Sequence, residues 1–319
     1  MPEDEASPDL SVRATSSRRQ TTDDNQCSRS IDRMIAAGPL SHNGRTSSKR
    51  SLRCKELRAL REFGKTLTDD RRLKSCGSKI RQGGFGEAEE VLETTVSCGR
   101  AWLCPTCAYH AARHQFRRLA DMLMAWTSGG GAVALLTLTQ SHCIEDELGT
   151  LWDRLGGGWA AMVRGSGWRA DQGSFRLRGY VRVTEVVHHP HSGWNVHFHV
   201  FLLLDQPLDH QQLHQLKDRL TARFSRGIKA AGGQASWDGQ HLDPIQSGSE
   251  RRLASYYAKG TNARWKPDGS RTPMAILADL KETGEGLALW KEFGVAVTVA
   301  KRKRYSPSQG IANLVPNRP

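Results

Sequence analysis

The sequence lacks any apolar run close to the ~20 residues that a membrane-spanning helix needs. Its beginning, MPEDEASPDLSVRATSSRRQ, also lacks the apolar centre of a signal peptide. Aromatic and branched apolar residues are scarce over residues 1–50, so this segment buries too little surface to offset the entropy of ordering the chain. We therefore expect a cytoplasmic protein without a membrane partner, in which residues 1–65 form a disordered basic tail carrying at most a short, solvated helix.

Acidic residues and regularly paired cysteines are also in short supply. The 33 Asp and Glu residues face 46 Lys and Arg residues, which gives a net charge of +13 at pH 7. Such an excess favours a polyanionic partner, either nucleic acid or an anionic membrane surface, and the charge alone does not choose between them. Seven cysteines, an odd number in a chain without an export signal, indicate reduced thiols or metal ligands and not a disulfide framework.

Hydrophobic periodicity places helices and strands along the rest of the chain without repeated βαβ units. Three stretches have the composition of strands: AVALLTLTQ, GYVRVTEVV and VHFHVFLLL. Helical spacing marks the segment after Cys107, the segment with Leu148 and Trp152, and the segment that follows a candidate N-cap at Asp209. The order predicts an α+β fold with a mainly antiparallel sheet flanked by helices.

The last strand carries histidines at alternate positions, His197 and His199, which therefore point to the same face of the sheet. A hairpin centred on His191 would place Glu185 opposite His197. Two imidazoles and a carboxylate form a suitable ligand set for a divalent metal that leaves positions open for substrate oxygens. Structural, hydrogen-bonded histidines are the alternative. Three further histidines fall in the predicted turn and are expected to face solvent or DNA, with metal ligation as the alternative: His188, His189 and His191.

A second pattern, SYYAKG, places Tyr256 and Lys259 on the same face of a presumed helix. A phenol with a neighbouring cation can attack a phosphodiester when a metal polarises the phosphate. The alternative is a packing tyrosine beside a surface lysine, and Tyr257 is the better candidate for that packing role.

A cysteine-bearing segment precedes the strands. Cys98, Cys104 and Cys107 are spaced C-x5-C-x2-C, and Cys76 would complete a four-thiolate zinc set, with His110 and His114 as alternative ligands. Reduced cysteines packed in a turn are the competing interpretation. Arginine-rich stretches are expected to contact DNA phosphates collectively: residues 44–72, Arg113, Arg117, Arg118 and the run KRKR at 301–304.

The blocks LLTLTQ, VHFHVFLLL and YYAKG, in this order, resemble the three motifs of the HUH endonucleases, and specifically the rolling-circle replication initiators of bacterial plasmids. The likeness extends over about residues 76–315. It implies an HUH-type sheet as the endonuclease domain over 129–315, preceded by a cysteine-rich segment with its helix over 66–128.

The resemblance also implies a function for individual residues. A metal, Mg²⁺ or Mn²⁺, would be held by His197, His199 and Glu185, and Tyr256 with Lys259 nearby would nick one strand of the plasmid origin, single-stranded at the nick, to leave a 5′-phosphotyrosyl link. Related initiators carry a second tyrosine or a glutamate one helical turn from the nucleophile. Here Leu253 and Arg252 occupy those places, so Tyr257 and Glu250 are the candidates.

The resemblance further implies host helicase and replication proteins as partners. Cysteine-rich segments precede the nuclease motifs in similar actinobacterial proteins, in line with a structural Zn²⁺. Two alternatives stay open: an HUH transposase or relaxase, and a zinc-stabilised DNA-binding protein without catalysis.

Overall fold

The computed structural model describes residues 47–82, 92–251, 269–299 and 302–311. The helices are α1 Ser47–Thr66, α2 Arg71–Lys74, α3 Pro105–Ser128, α4 Leu148–Met162, α5 Gly165–Ser174, α6 His210–Ala230, α7 Pro273–Thr283 and α8 Leu287–Thr298. The strands are β1 Lys79–Gln82, β2 Leu92–Thr95, β3 Ala132–Leu138, β4 Leu177–His189, β5 Gly193–Leu204, β6 His241–Pro244 and β7 Tyr305–Pro307.

Five strands form one antiparallel sheet in the order β6-β3-β5-β4-β7, and β1 pairs with β2 in a separate hairpin. The α+β class with a central antiparallel sheet, flanked by helices and preceded by a cysteine cluster, is confirmed. All three predicted strands lie at the centre of the sheet. β5 is the middle strand of the sheet and lies between β3 and β4. Its run of apolar residues suits this place, because a central strand is buried on both faces.

The two faces of the sheet are distinguished by the alternation along β5. Val196, Phe198 and Val200 point into the main core, which the helices α4, α6, α7 and α8 cover. The intervening residues point to the opposite face, and they begin with His197 and His199. The histidine pair therefore lies on the face away from the main core.

Helix α1 corrects an expectation. Its leucines were expected on a solvated surface helix, but Leu57 and Leu60 are 6% and 5% exposed and the helix packs against α3 and α7. Local periodicity showed the apolar stripe, while only the tertiary structure supplies the surface that covers it.

One glycine of α4 and one of α6 have a packing role. A Cβ built on Gly158 would lie 2.8 Å from side-chain atoms of Ile228 and Phe224, and one on Gly227 of α6 would lie 2.6 Å from the Cβ of Ala161. Residues that weaken an isolated helix thus allow α4 and α6 to approach closely beneath the sheet. Among the described residues, none of the helices has the length and apolar content needed to cross a membrane.

Candidate metal sites

The β4–β5 hairpin brings the predicted ligands together. Glu185 is directly opposite His197, as the sequence predicted, and Val183 is opposite His199. The connection is shorter than expected, since His189 and Gly193 already pair and only residues 190–192 link the strands. Gly193 has φ +78°, and a Cβ there would lie 2.8 Å from the backbone of Ile144, so glycine meets both the turn geometry and the close approach of the neighbouring loop.

The three side chains converge on one point. Oε2 of Glu185 lies 3.2 Å from Nε2 of His197 and 3.2 Å from Nε2 of His199. The two imidazole planes are inclined by 89°, with centroids 4.8 Å apart. Of the side chains, His199 is buried at 3% exposure, while His197 and Glu185 keep 12% and 13%. The group is thus enclosed by the sheet and open to solvent on one side.

Outer partners orient both rings. Nδ1 of His197 lies 3.1 Å from Oδ1 of Asn195, and Nδ1 of His199 lies 3.2 Å from Oγ1 of Thr137 on β3. The Asn195 oxygen can only accept, so this contact is a hydrogen bond in the tautomer of His197 with the proton on Nδ1, which leaves the lone pair of Nε2 for a metal; the Thr137 hydroxyl can accept from His199 in the same way. Such second partners are typical of histidines that bind metal through the other nitrogen.

The donor set fits one divalent ion. Adjacent ligands of an octahedral ion with bonds of about 2.1 Å lie about 3.0 Å apart, and the two carboxylate-to-imidazole distances are 3.2 Å. All the ligand atoms lie within 4.8 Å of one another. A carboxylate and two imidazoles leave further positions on such an ion for phosphate or water oxygens.

The expectation for His188 was wrong. This residue lies within β4, is 8% exposed, and its ring contacts Trp194 edge-on at 5.0 Å. Burial and the nearby Arg271 guanidinium lower the pKa of His188 to about 4, so it is neutral at pH 7. His189 is half-buried and His191 is exposed, which leaves His191 as the turn histidine that faces outward.

Four cysteines form the second group. Cys76 follows α2, Cys98 follows β2, and Cys104 and Cys107 lie at the N-terminus of α3, where Cys104 is the N-cap. Positive φ values at Gly77 and Gly99, 86° and 67°, turn the chain directly after the first two cysteines. The four residues that the sequence singled out are therefore brought together, and His110 and His114 are not part of the group.

The sulfur spacing matches tetrahedral coordination. The Sγ of Cys76 lies 3.7 Å from those of Cys104 and Cys107, and the Sγ of Cys98 lies 3.5 Å from that of Cys107. Zinc bound by four thiolates at about 2.3 Å would separate the sulfurs by about 3.8 Å, whereas a disulfide needs about 2.05 Å. The cluster therefore fits a metal and not a pair of disulfides.

The thiols differ in acidity. Burial raises the pKa of Cys98 and of Cys104. Burial acts in the same direction on Cys107, but hydrogen bonds from Ser97, from Cys98 and from the backbone of Gly99 outweigh it and bring the pKa of Cys107 to about 7. One member of the group is thus already close to the thiolate form that binds metal.

The loop between Cys98 and Cys104 docks on the sheet domain through Trp102. Its Nε1 donates a hydrogen bond of 2.7 Å to the carbonyl of Arg302, and the guanidinium of Arg304 lies 4.3 Å from the centre of its ring. The ring also meets Trp152 edge-on at 5.3 Å. The cysteine group is therefore anchored to the C-terminal segment beside β7.

These contacts alter the interpretation of the basic run at 301–304. The side chain of Arg302 is 7% exposed and pairs with Asp153, while Arg304 stacks on Trp102. Burial lowers the pKa of Arg304 to about 10, against the opposing effect of Glu185. Of this run, Lys303 is exposed, whereas Arg302 and Arg304 serve in packing.

The structure does not describe the residues of the tyrosine pattern. Tyr256, Tyr257 and Lys259 are outside the described residues. Glu250 is described: it is 3% exposed and accepts a hydrogen bond of 3.0 Å from the hydroxyl of Thr127 on α3. It does not belong to the Glu185 group.

The fold and the two ligand groups define an α+β protein with one candidate site for a hard divalent ion and one for a thiolate-bound metal. A family model described as "Replication protein" matches residues 89–216, which include the Glu185 group and three of the four cysteines. This match supports the resemblance to plasmid replication initiators seen in the sequence.

Two curated relatives are similar to parts of the chain. "Protein rep" of Streptomyces lividans is 31% identical over 140 residues, which are 36% of this chain and 31% of the relative. The "Neomycin resistance protein" of Streptomyces cyanogenus is 24% identical over 204 residues, 56% of this chain and 44% of the relative. The chain thus spans less than half the length of either relative, and no solved structure matches it significantly.

Proposed function

We propose that this protein initiates rolling-circle replication of a plasmid by nicking one strand of the origin and rejoining strands afterwards. The observation that carries the proposal is the convergence of Glu185, His197 and His199 on one point of an antiparallel sheet. Its support is the position of these residues within the segment that matches replication proteins. The HUH type and the tyrosine chemistry rest on the sequence motifs.

Each of the proposed site residues has a distinct role in strand cleavage. A Mg²⁺ or Mn²⁺ ion at Glu185, His197 and His199 would polarise the phosphodiester to be cut. The phenolic oxygen of Tyr256 attacks the phosphorus and loses its proton to solvent. An O–P bond to tyrosine forms and the bond to the 3′ oxygen breaks. The 3′ oxygen takes up a proton from solvent, and the resulting 3′-OH primes synthesis. The ammonium of Lys259 stabilises the charge that develops on the phosphate.

Rejoining requires a second group, for which Tyr257 and Glu250 are the candidates. The carboxylate of Glu250 is buried and already accepts a hydrogen bond from Thr127. A carboxylate held in this way is poorly suited to a group that must move to a phosphate. Tyr257 is therefore our first candidate for the second nucleophile, and Glu250 is the alternative.

The test is covalent attachment to DNA. The full chain is incubated with the supercoiled replicon and Mn²⁺, and the products are analysed by denaturing gel and peptide mass spectrometry. We expect an adduct on Tyr256 that is lost in Tyr256→Phe and kept in the matched Tyr257→Phe variant. Loss in Tyr257→Phe alone would overturn the assignment of the nucleophile. Binding without a nick under Mg²⁺ or Mn²⁺ would favour a DNA-binding protein without catalysis.

We assign the four-cysteine group a structural Zn²⁺, on the strength of its burial and sulfur spacing. The proposed partner is plasmid origin DNA, single-stranded at the nick, with host helicase and replication proteins acting afterwards. Arginines such as Arg117 and Arg118 on α3 would contact phosphates, so affinity should fall steeply with salt. A flat salt response in a binding titration would count against this contact.

A further inference from the structure

The strand register places one further residue, Tyr305, beside the Glu185 group. Across the sheet, the pairs His241–Thr137, Thr137–His199, His199–Val183 and Val183–Tyr305 form a continuous row. Residues directly opposite each other point to the same face. Tyr305, on the edge strand β7, therefore projects from the face that carries the candidate metal ligands.

Distances within a sheet bring Tyr305 within reach of the ligands. Glu185 is two residues along β4 from Val183, the partner of Tyr305, and such diagonal neighbours lie about 7–8 Å apart at Cα. A tyrosine side chain is long enough to cover most of that separation. The phenol of Tyr305 can thus approach a group bound at Glu185 without any change of register.

The backbone on both sides of Tyr305 is fixed. Before it, the carbonyl of Arg304 accepts a hydrogen bond of 2.8 Å from the amide of Thr184, the residue next to Glu185. After it, the amide of Ser308 donates to the carbonyl of Tyr180 at 2.8 Å. The position of the Tyr305 backbone relative to Glu185 is therefore set by β4 itself.

The hydroxyl of Tyr305 is suited to donate a hydrogen bond. Tyr305 is half-buried, and its hydroxyl makes no hydrogen bond within the part of the chain that the structure describes. Burial raises the pKa of Tyr305, against an opposing effect of the Arg118 guanidinium, so the hydroxyl is a protonated donor at neutral pH. A donor with a cation nearby suits an anionic acceptor such as a phosphate.

We propose that Tyr305 is a substrate-contacting residue of this site, whose hydroxyl donates a hydrogen bond to a phosphate oxygen of the DNA strand held at Glu185, His197 and His199. The assignment rests on the proposed function, because it takes single-stranded DNA as the substrate. It adds to the site a group supplied by the C-terminal edge strand, outside the segment that matches replication proteins.

The experiment compares Tyr305→Phe with the wild-type full chain and with Tyr180→Phe. Tyr180 is a matched control, because it is also half-buried but its ring packs on the opposite face of the sheet, 4.8 Å from Trp159. The probe is a fluorescein-labelled oligothymidine of about 15 nucleotides, within the range of single-strand site sizes. Binding is followed at low salt by fluorescence anisotropy in Mn²⁺ and again in EDTA.

In Mn²⁺ we expect Tyr305→Phe to bind about tenfold more weakly or worse, as for a lost hydrogen bond to a charged group, and Tyr180→Phe to bind like the wild type. In EDTA the difference should disappear, since the phosphate is then no longer held beside the phenol. Unchanged affinity in Mn²⁺, or an equal loss with and without the metal, would overturn the proposal. A wild-type chain that never forms a DNA adduct refutes the proposed function instead, and the binding comparison still decides the role of Tyr305.

Discussion

Thr137→Val tests whether the outer partner of His199 tunes metal binding. Thr137 is 3% exposed, and its hydroxyl lies 3.2 Å from Nδ1 of His199. Valine keeps the shape of threonine and removes this contact, so the ring keeps its place but loses the group that fixes its tautomer and orientation. Loss of such a partner typically weakens metal binding by about 10–100-fold, or about 1.4–2.8 kcal/mol.

The chain offers a control for this substitution. Thr221 on α6 is 2% exposed, but its hydroxyl finds no hydrogen-bond partner among the described residues. Thr221→Val makes the same chemical change at an equally buried position away from the ligand-bearing face. Isothermal titration with Mn²⁺ should show weakened binding in Thr137→Val and unchanged binding in Thr221→Val. If the two variants bind Mn²⁺ equally well, the proposed role of Thr137 is refuted.

Three further predictions concern the cysteine group, a buried histidine and the helix packing. The double variant Cys104→Ser, Cys107→Ser should lose bound zinc in elemental analysis, because two of four thiolates are removed; unchanged zinc would contradict the assignment. The pKa of His188 is about 4 in the folded protein, against an ordinary value of 6.5. The neutral ring therefore stabilises the fold fully above pH 6.5, and this stabilisation is lost as the pH falls towards 4. The loss amounts to at most about 3 kcal/mol. Urea unfolding at about pH 7 and about pH 4.5, on either side of the ordinary histidine pKa, should therefore show a smaller acid loss in His188→Gln than in the wild type, and equal losses would rule this out. Gly227→Ala should destabilise the fold by about 1–3 kcal/mol through its close contacts with α4, whereas Gly156→Ala, with open space around it, should not; the same unfolding assay compares them.

The hairpin was the most predictable part of the site. Its register follows from a short connection between two apolar strands, and a slip by one residue would have exposed the core side of β5. For that reason the opposition of Glu185 and His197 could be predicted from local sequence. The four cysteines were predictable as a set from their spacing, although their convergence depends on the β1–β2 hairpin, whose strands carry little signal.

Long-range pairings account for what the sequence did not reveal. His188 lies in a stretch of sequence that is typical of a turn. In the structure Trp194 and Arg271 cover it, and Arg271 comes from a distant segment. Tyr305 joins the ligand-bearing face only because β7 pairs with β4. A three-residue edge strand gives no periodicity from which such a pairing could be inferred.

The contacts of Trp102 affect how any cysteine variant should be interpreted. The loop that carries this residue is bounded by Cys98 and Cys104, and its indole holds the carbonyl of Arg302 and the guanidinium of Arg304. The carbonyl of Arg304 in turn pairs with Thr184, next to Glu185. Loss of the cysteine group would therefore disturb the edge of the sheet beside the candidate metal ligands without any contact between the cysteines and DNA. A cysteine variant that fails to nick is therefore evidence for DNA binding by the cysteine segment only if its Mn²⁺ affinity at the Glu185 group is shown to be intact.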